Sequence, residues 1–200
     1  MMGVFRAFIP IEIPVEIRDR FEQVISQLAD SIPEHAVRWV PVNNIHLTLK
    51  FLGDVSEANY EVLIQLLESQ AKLHSPFNMS VGGLGAYPNA KRPRVVWIGI
   101  EADQELFELQ RAIDAETTRM GYQSEVRDYS PHLTIGRIAR NTSAEDIRQV
   151  GEVVRKFDLG FLGVSRVDTL HLFRSDLKPG GAVYKKLYTA RIGSEETQSA

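Results

Sequence analysis

The sequence predicts an α+β fold built as two similar lobes, each an antiparallel sheet with helices, around a central cleft. Three observations carry this. Helical and strand-like segments alternate irregularly rather than in the steady βαβ rhythm of a parallel sheet. A tetrapeptide nearly repeats, as His46-Leu47-Thr48-Leu49 and His132-Leu133-Thr134-Ile135, with its histidines 86 residues apart (132 − 46) in a 200-residue chain. The composition, 44% hydrophobic and 24% charged, is that of an ordinary globular protein able to bury a sizeable core.

The elements follow in order. A strand-like run from Val4 to Ile11 leads to a first helix, in which Ile17, Phe21, Val24, Ile25 and Leu28 share one face. Pro14 suits the first turn of that helix and Pro33 lies beyond its end. Strand-like runs at Val37 to Val40 and His46 to Leu52 come next. Ser56 is a cap for a second helix that aligns Tyr60, Leu63, Ile64 and Leu67. Phe77 to Leu84 and Val95 to Ile100 read as strands separated by turn chemistry at Tyr87-Pro88-Asn89. A third helix starts near Asp103, carries Leu106, Leu109, Ile113 and Met120, and stops at Gly121. After the strand-like His132 to Ile138, the segment Ser143-Ala144-Glu145-Asp146 resembles a capping box for a fourth helix with Ile147, Val150 and Val154. A run from Phe157 to Leu172, with a break, and a last one from Val183 to Ile192 flank the turn Lys178-Pro179-Gly180-Gly181. Residues 1–193 are expected to form a single bilobal domain, and 194–200, small and polar, a disordered tail.

Composition removes several classes of function. With no cysteine there is no disulfide framework, thiolate metal site or cysteine nucleophile. No signal-peptide core and no run near the roughly 18 apolar residues of a membrane span is present, so a cytoplasmic location is expected. A net charge of −3 gives no global pull toward nucleic acid. The sequence lacks His-Glu-x-x-His, His-x-His and aspartate-rich loops, and its glycines form neither a P-loop nor a dinucleotide fingerprint, so neither metal nor cofactor is expected.

The repeated tetrapeptide carries the chemistry. In a strand, side chains at i and i+2 share a face. Leu47, Leu49, Leu133 and Ile135 then enter the cores, while His46 with Thr48 and His132 with Thr134 take the opposite face. Strict alternation adds Lys50 to that face and excludes Arg137 unless the strand bulges. One imidazole can accept a proton from an attacking oxygen while the other donates one to a leaving oxygen. Each transfer typically contributes about 10²–10⁴-fold. The two hydroxyls can hold non-bridging phosphate oxygens. Arg137 is a candidate phosphate contact, and Tyr129 and Phe5 are candidate base-stacking rings. Trp39 and Trp97 read as core residues, and His35, His74 and His171, which lack a threonine at +2, as structural.

These residues resemble the 2H phosphoesterases, and most closely the bacterial and archaeal RNA 2′,3′-cyclic phosphodiesterase (2′-5′ RNA ligase) family. The resemblance runs from near Val4 to near Ala190. It includes Phe5-Arg6-Ala7-Phe8-Ile9, Val37-Arg38-Trp39-Val40, Asn44 to Gly53, Gly83 to Pro88, Arg92 to Trp97, Pro131 to Arg137, and Ser175-Asp176-Leu177 with Gly180 to Tyr184. It implies a bilobal fold with pseudo-twofold symmetry and metal-independent hydrolysis of RNA or nucleoside 2′,3′-cyclic phosphates to 2′-phosphates. By motif position His46 would be the general acid and His132 the general base. RNA ends are the implied partner of an expected monomer, with no protein partner. Ligation or cleavage of 2′-5′ linkages, another cyclic phosphate, and non-catalytic binding of RNA ends remain as alternatives.

Overall fold

The computed structural model describes residues 3–179 and 181–193, so the expected tail at 194–200 lies outside the described residues. The strands are β1 (Val4–Glu12), β2 (Val37–Trp39), β3 (His46–Ser56), β4 (Phe77–Tyr87), β5 (Val95–Ala102), β6 (His132–Ile138), β7 (Phe161–Val167), β8 (Thr169–Lys178) and β9 (Gly181–Arg191). The helices are α1 (Val15–Ser31), α2 (Tyr60–Leu73), α3 (Gln104–Arg119) and α4 (Ala144–Lys156). Local chemistry accounts for their ends. The Pro14 carbonyl accepts from the amides of Ile17 and Arg18 to start α1. Ser143 caps α4 by accepting from the Asp146 amide. Gly121, at φ +93°, takes the left-handed conformation that ends α3. Ser56 caps a 3₁₀ turn, Glu57–Asn59, and α2 begins only after it. The expected run from Phe157 to Leu172 is two strands, β7 and the start of β8.

Every strand pair among the described residues is antiparallel, in the order β7-β4-β5-β6-β3-β1-β8-β9, with β2 also paired to β6. One lobe is β3-β1-β8-β9 and the other β7-β4-β5-β6 with β2. Their sheets are continuous through a single registered pair, Leu47 with Leu133. The lobes also exchange helices. α1 follows β1 yet packs on β7 and α4 of the other lobe, where the Arg20 guanidinium donates to the Leu162 carbonyl. α3 follows β5 yet packs on β3 beside α2. This interlock ties the halves together, so a lobe is not a contiguous half of the chain.

The core lies between the helices and one face of the sheet. Ile9, Leu47, Val81, Ile98, Leu133 and Leu170 of the strands are buried there, with Phe21, Leu63, Leu109 and Val150 of the four helices. Each such side chain contributes about 1.5–3 kcal/mol by leaving water. The other face is the cleft.

Candidate active site

The site follows from the junction of the lobes. Leu47 and Leu133 are opposed and point into the core. In an antiparallel pair the neighbouring positions then oppose one another on the other face. His46 comes opposite Thr134, and Thr48 opposite His132. The two tetrapeptides thus form one local twofold, with both imidazoles and both hydroxyls on the cleft face.

Each strand is then bulged at the same place. β3 carries Leu49 as an extra residue between the pairs Thr48–Pro10 and Lys50–Ile9. β6 carries Ile135 as an extra residue between Thr134–Trp97 and Gly136–Val96. A bulge reverses the alternation beyond it, with two consequences. Arg137 turns onto the cleft face. Burial raises the phenol of Tyr184 across the cleft, and the charge of Arg137 opposes that rise. Lys50, expected on the cleft face, turns into the lobe interior. It is 4% exposed, paired with the Asp114 carboxylate of α3 and donating to the Gln123 carbonyl. Desolvation pushes the Asp114 carboxyl up, but Lys50 and hydrogen bonds from Glu125 and Ser124 outweigh it and hold the group below its ordinary range.

Three further expectations are corrected. Phe5 lies on the helix-facing side of β1 within the core, so it cannot stack on a ligand in the cleft. Tyr129 packs edge-on against Phe107 of α3 and donates its hydroxyl to the Thr48 carbonyl at 3.1 Å. It buttresses the first motif from behind, and burial pushes its phenol well above its ordinary pKa. Trp97 is not a core residue either: it shares the cleft face with Thr134, seated against Gly85, where an added Cβ would fall 2.2 Å from its ring. Of the other histidines, His35 meets Asp146 on the surface and His74 meets the Gln70 carbonyl at 2.8 Å.

Both catalytic candidates are anchored by the backbone two residues upstream. Nδ1 of His132 lies 2.8 Å from the Ser130 carbonyl. A carbonyl only accepts, so Nδ1 carries the proton and neutral His132 presents the lone pair of Nε2 to the cleft. His46 bonds the backbone of Asn44, whose own side chain donates to the Ala182 carbonyl at 2.9 Å. The walls differ. Phe8 stacks on His46 at 4.7 Å between ring centroids, and Tyr184 meets it edge-on at 5.2 Å. His132 meets Tyr87 edge-on at 4.9 Å, with Trp97 at 6.5 Å. Burial lowers the His46 pKa from 6.5 to about 4, against the raising effects of the Asn44 bond and the Glu12 carboxylate.

Glu12, Phe8 and Tyr184 escaped the reading of the sequence as site residues, and His171, read there as structural, lies beside them. Glu12 is registered directly opposite His46. Its carboxylate pairs with Lys186 and lies 3.3 Å from Nε2 of His171, which is 3% exposed and also contacts Thr189. Only strand pairing places these residues beside the motif. Among the described residues no group of three or more His, Asp or Glu is arranged to hold a metal ion, and no helix is long and apolar enough to cross a membrane.

Comparison with known proteins accords with this geometry. The RNA 2′,3′-cyclic phosphodiesterase of Methanothermobacter thermautotrophicus is 32% identical over 187 residues, covering 94% of this chain and 98% of that protein. The solved structure of TT0787 of Thermus thermophilus superposes with a TM-score of 0.77 at 25% identity, covering 95% of this chain and 99% of the other. Escherichia coli LigT complexed with 3′-AMP superposes with a TM-score of 0.75 at 27% identity, covering 96% and 100%. The LigT-like phosphoesterase description matches twice, over residues 11–97 and 98–184, one histidine motif in each copy. The chain therefore belongs to the LigT-like phosphoesterase family.

Proposed function

We propose that the protein hydrolyses the 2′,3′-cyclic phosphate of RNA or of a nucleotide to the 2′-phosphate, using two histidines and no metal. The observation that carries this reading is the pairing of Leu47 with Leu133, which sets two imidazoles and two hydroxyls on one face. The name of the archaeal relative supports the substrate class.

In this mechanism Nε2 of His132 takes a proton from water as the water oxygen bonds to phosphorus. The bond from phosphorus to the 3′-oxygen breaks, and His46 gives that oxygen a proton. One water is added, and the imidazoles exchange protonation states until solvent resets them. Thr48 and Thr134 donate to the non-bridging oxygens, whose charge grows in the transition state. Arg137 adds positive charge to the same face. Burial keeps His46 neutral at pH 7 in the free protein. An anionic cyclic phosphate beside it, with Glu12 opposite, supplies the charge that favours its imidazolium.

The test is turnover of 2′,3′-cyclic nucleotides in excess chelator, with the product identified. A 2′-phosphate is expected, and His46→Ala and His132→Ala should each lose about 10²–10⁴-fold in kcat. Full activity in either variant, or complete inhibition by the chelator, overturns the mechanism. Tight binding of the cyclic end without turnover would leave a binding protein.

A further inference from the structure

We propose that Arg38, together with Arg137, binds a backbone phosphate of the strand leading to the cyclic end, so that the preferred substrate is the end of an RNA chain rather than a free cyclic mononucleotide. This rests on the phosphodiesterase reading of the cleft and adds a subsite to it.

The argument begins with β2. This three-residue strand runs along β6 just beyond the point where β3 and β6 part, with the Val40 amide donating to the Ile135 carbonyl. Its register pairs Val37 with Ile138, Arg38 with Arg137 and Trp39 with Gly136. Directly opposed residues share a face, so Val37 and Trp39 go to the core and Arg38 goes with Arg137. The face of Arg137 is that of Thr134, because both oppose residues two apart on the unbulged stretch of β5, Val95 and Trp97. Arg38 therefore lies on the cleft face, in line with the second motif.

Two like charges directly opposed on a sheet destabilise it, and both of these side chains are exposed. Among the described residues neither is in an ion pair. Two guanidiniums held side by side without a carboxylate suit a phosphate, which each can bind through two parallel N–H donors. His46 stands opposite Thr134, so Arg137 lies three residues less the bulge beyond it, about 7 Å at about 3.3 Å per residue. Arg137 and Arg38 beside it therefore flank a phosphate held between the histidines rather than sit on it, and the next phosphate of the same strand can reach the pair. The protein as a whole carries −3, so this is a local anion site rather than a general affinity for nucleic acid.

The experiment compares kcat/KM for a cyclic mononucleotide and for a trinucleotide ending in the same cyclic nucleotide, over a range of salt. Binding of the corresponding 2′-phosphate products is measured in parallel by fluorescence anisotropy or competition. The wild type should prefer the trinucleotide. Arg38→Glu should reduce that preference at least about tenfold and flatten the logarithmic salt dependence for the trinucleotide by about 0.7 for each phosphate no longer neutralised. Arg38→Gln should act in the same direction, which guards against misfolding of the charge-reversed strand. Arg155→Glu, the same charge change on the helical side of the lobe, should keep the preference. An unchanged preference in both Arg38 variants, or equal loss on both substrates, overturns the proposal. If the wild type hydrolyses neither substrate, the phosphodiesterase reading fails, and product binding alone still decides whether Arg38 holds a second phosphate.

Discussion

The two histidine motifs share three of their four residues, their anchor to the backbone two residues upstream and the bulge after the third residue, yet their surroundings differ in the positions that follow. Past the bulge the first lobe has Lys50 and Phe51 where the second has Gly136 and Arg137. Opposite the histidines stand Glu12 in one lobe and Gly99 in the other. The backbone symmetry places two equal imidazoles, and the side chains around them make them unequal. An exposed phenylalanine at 51 on one side and an arginine at 137 on the other also divide the cleft into a wall suited to a base and a wall suited to phosphate.

The largest effect on stability from disturbing this comparison is expected at the fourth position after each histidine. Gly136 has no room for a side chain, since an added Cβ would lie 2.7 Å from Val37 and 2.9 Å from Trp39. Its counterpart Lys50 instead penetrates its lobe to meet Asp114. Lys50→Ala should cost about 2–4 kcal/mol, because Asp114 loses its charge partner, the Gln123 carbonyl its donor and the lobe a buried alkyl stem, while Ser124 and the Glu125 amide still hold the carboxylate. A thermal melt should fall by at least about 4 °C, at about 2–4 °C per kcal/mol for a chain of this size. A variant that melts like the wild type but binds substrate poorly would return Lys50 to the cleft.

A smaller effect distinguishes the histidines by pH. The His46 pKa is lowered to about 4 in the folded protein and is 6.5 without that environment. Between these values the unfolded chain binds a proton that the native state refuses. Stability should therefore fall as pH drops from about 6.5 to about 4, by about 2–3 kcal/mol from this group. His171, also lowered by burial, acts in the same direction. The informative quantity is then the difference between the wild type and His46→Gln in denaturant titrations at about pH 7 and about pH 4.5. NMR titration should place the His46 midpoint near 4 in the free protein and higher with a bound 2′-phosphate product. A free midpoint near 6.5 would remove the effect of burial on His46.

How much of this was legible depends on what a single strand can reveal. The four helices announce themselves by periodicity and caps, and the paired site by its repetition. The faces beyond the motifs do not, because an extra residue at Leu49 or Ile135 leaves no mark in an apolar run and yet exchanges Lys50 for Phe51 and Gly136 for Arg137. Val4–Glu12 is buried on both faces over most of its length, so alternation cannot say that Phe8 rather than Phe5 meets the imidazole. Cross-strand neighbours such as Glu12 and Arg38 depend on register, which the sequence states nowhere.

The finest distinction between the lobes is also the one the backbone explains. Gly99 stands opposite His132 as Glu12 stands opposite His46, but an added Cβ at Gly99 would lie 2.7 Å from the Gly82 carbonyl oxygen. Gly82 is brought so close because β4 bulges at Gly83, whose φ of +70° favours glycine. The second lobe therefore has no room for a carboxylate beside its histidine, and only His46 can have one. Glu12→Gln should move the His46 midpoint down by less than about one pH unit, because Glu12 is 43% exposed and shares its charge with Lys186 and His171. Turnover should fall a few-fold on the same account, since the proposed mechanism needs His46 protonated. Lys186→Met, which leaves the Glu12 charge uncompensated, should move the midpoint the other way. Opposite shifts in these two variants would locate the asymmetry of the site at Glu12. Shifts of the same sign would place it in the aromatic wall of Phe8 and Tyr184 instead.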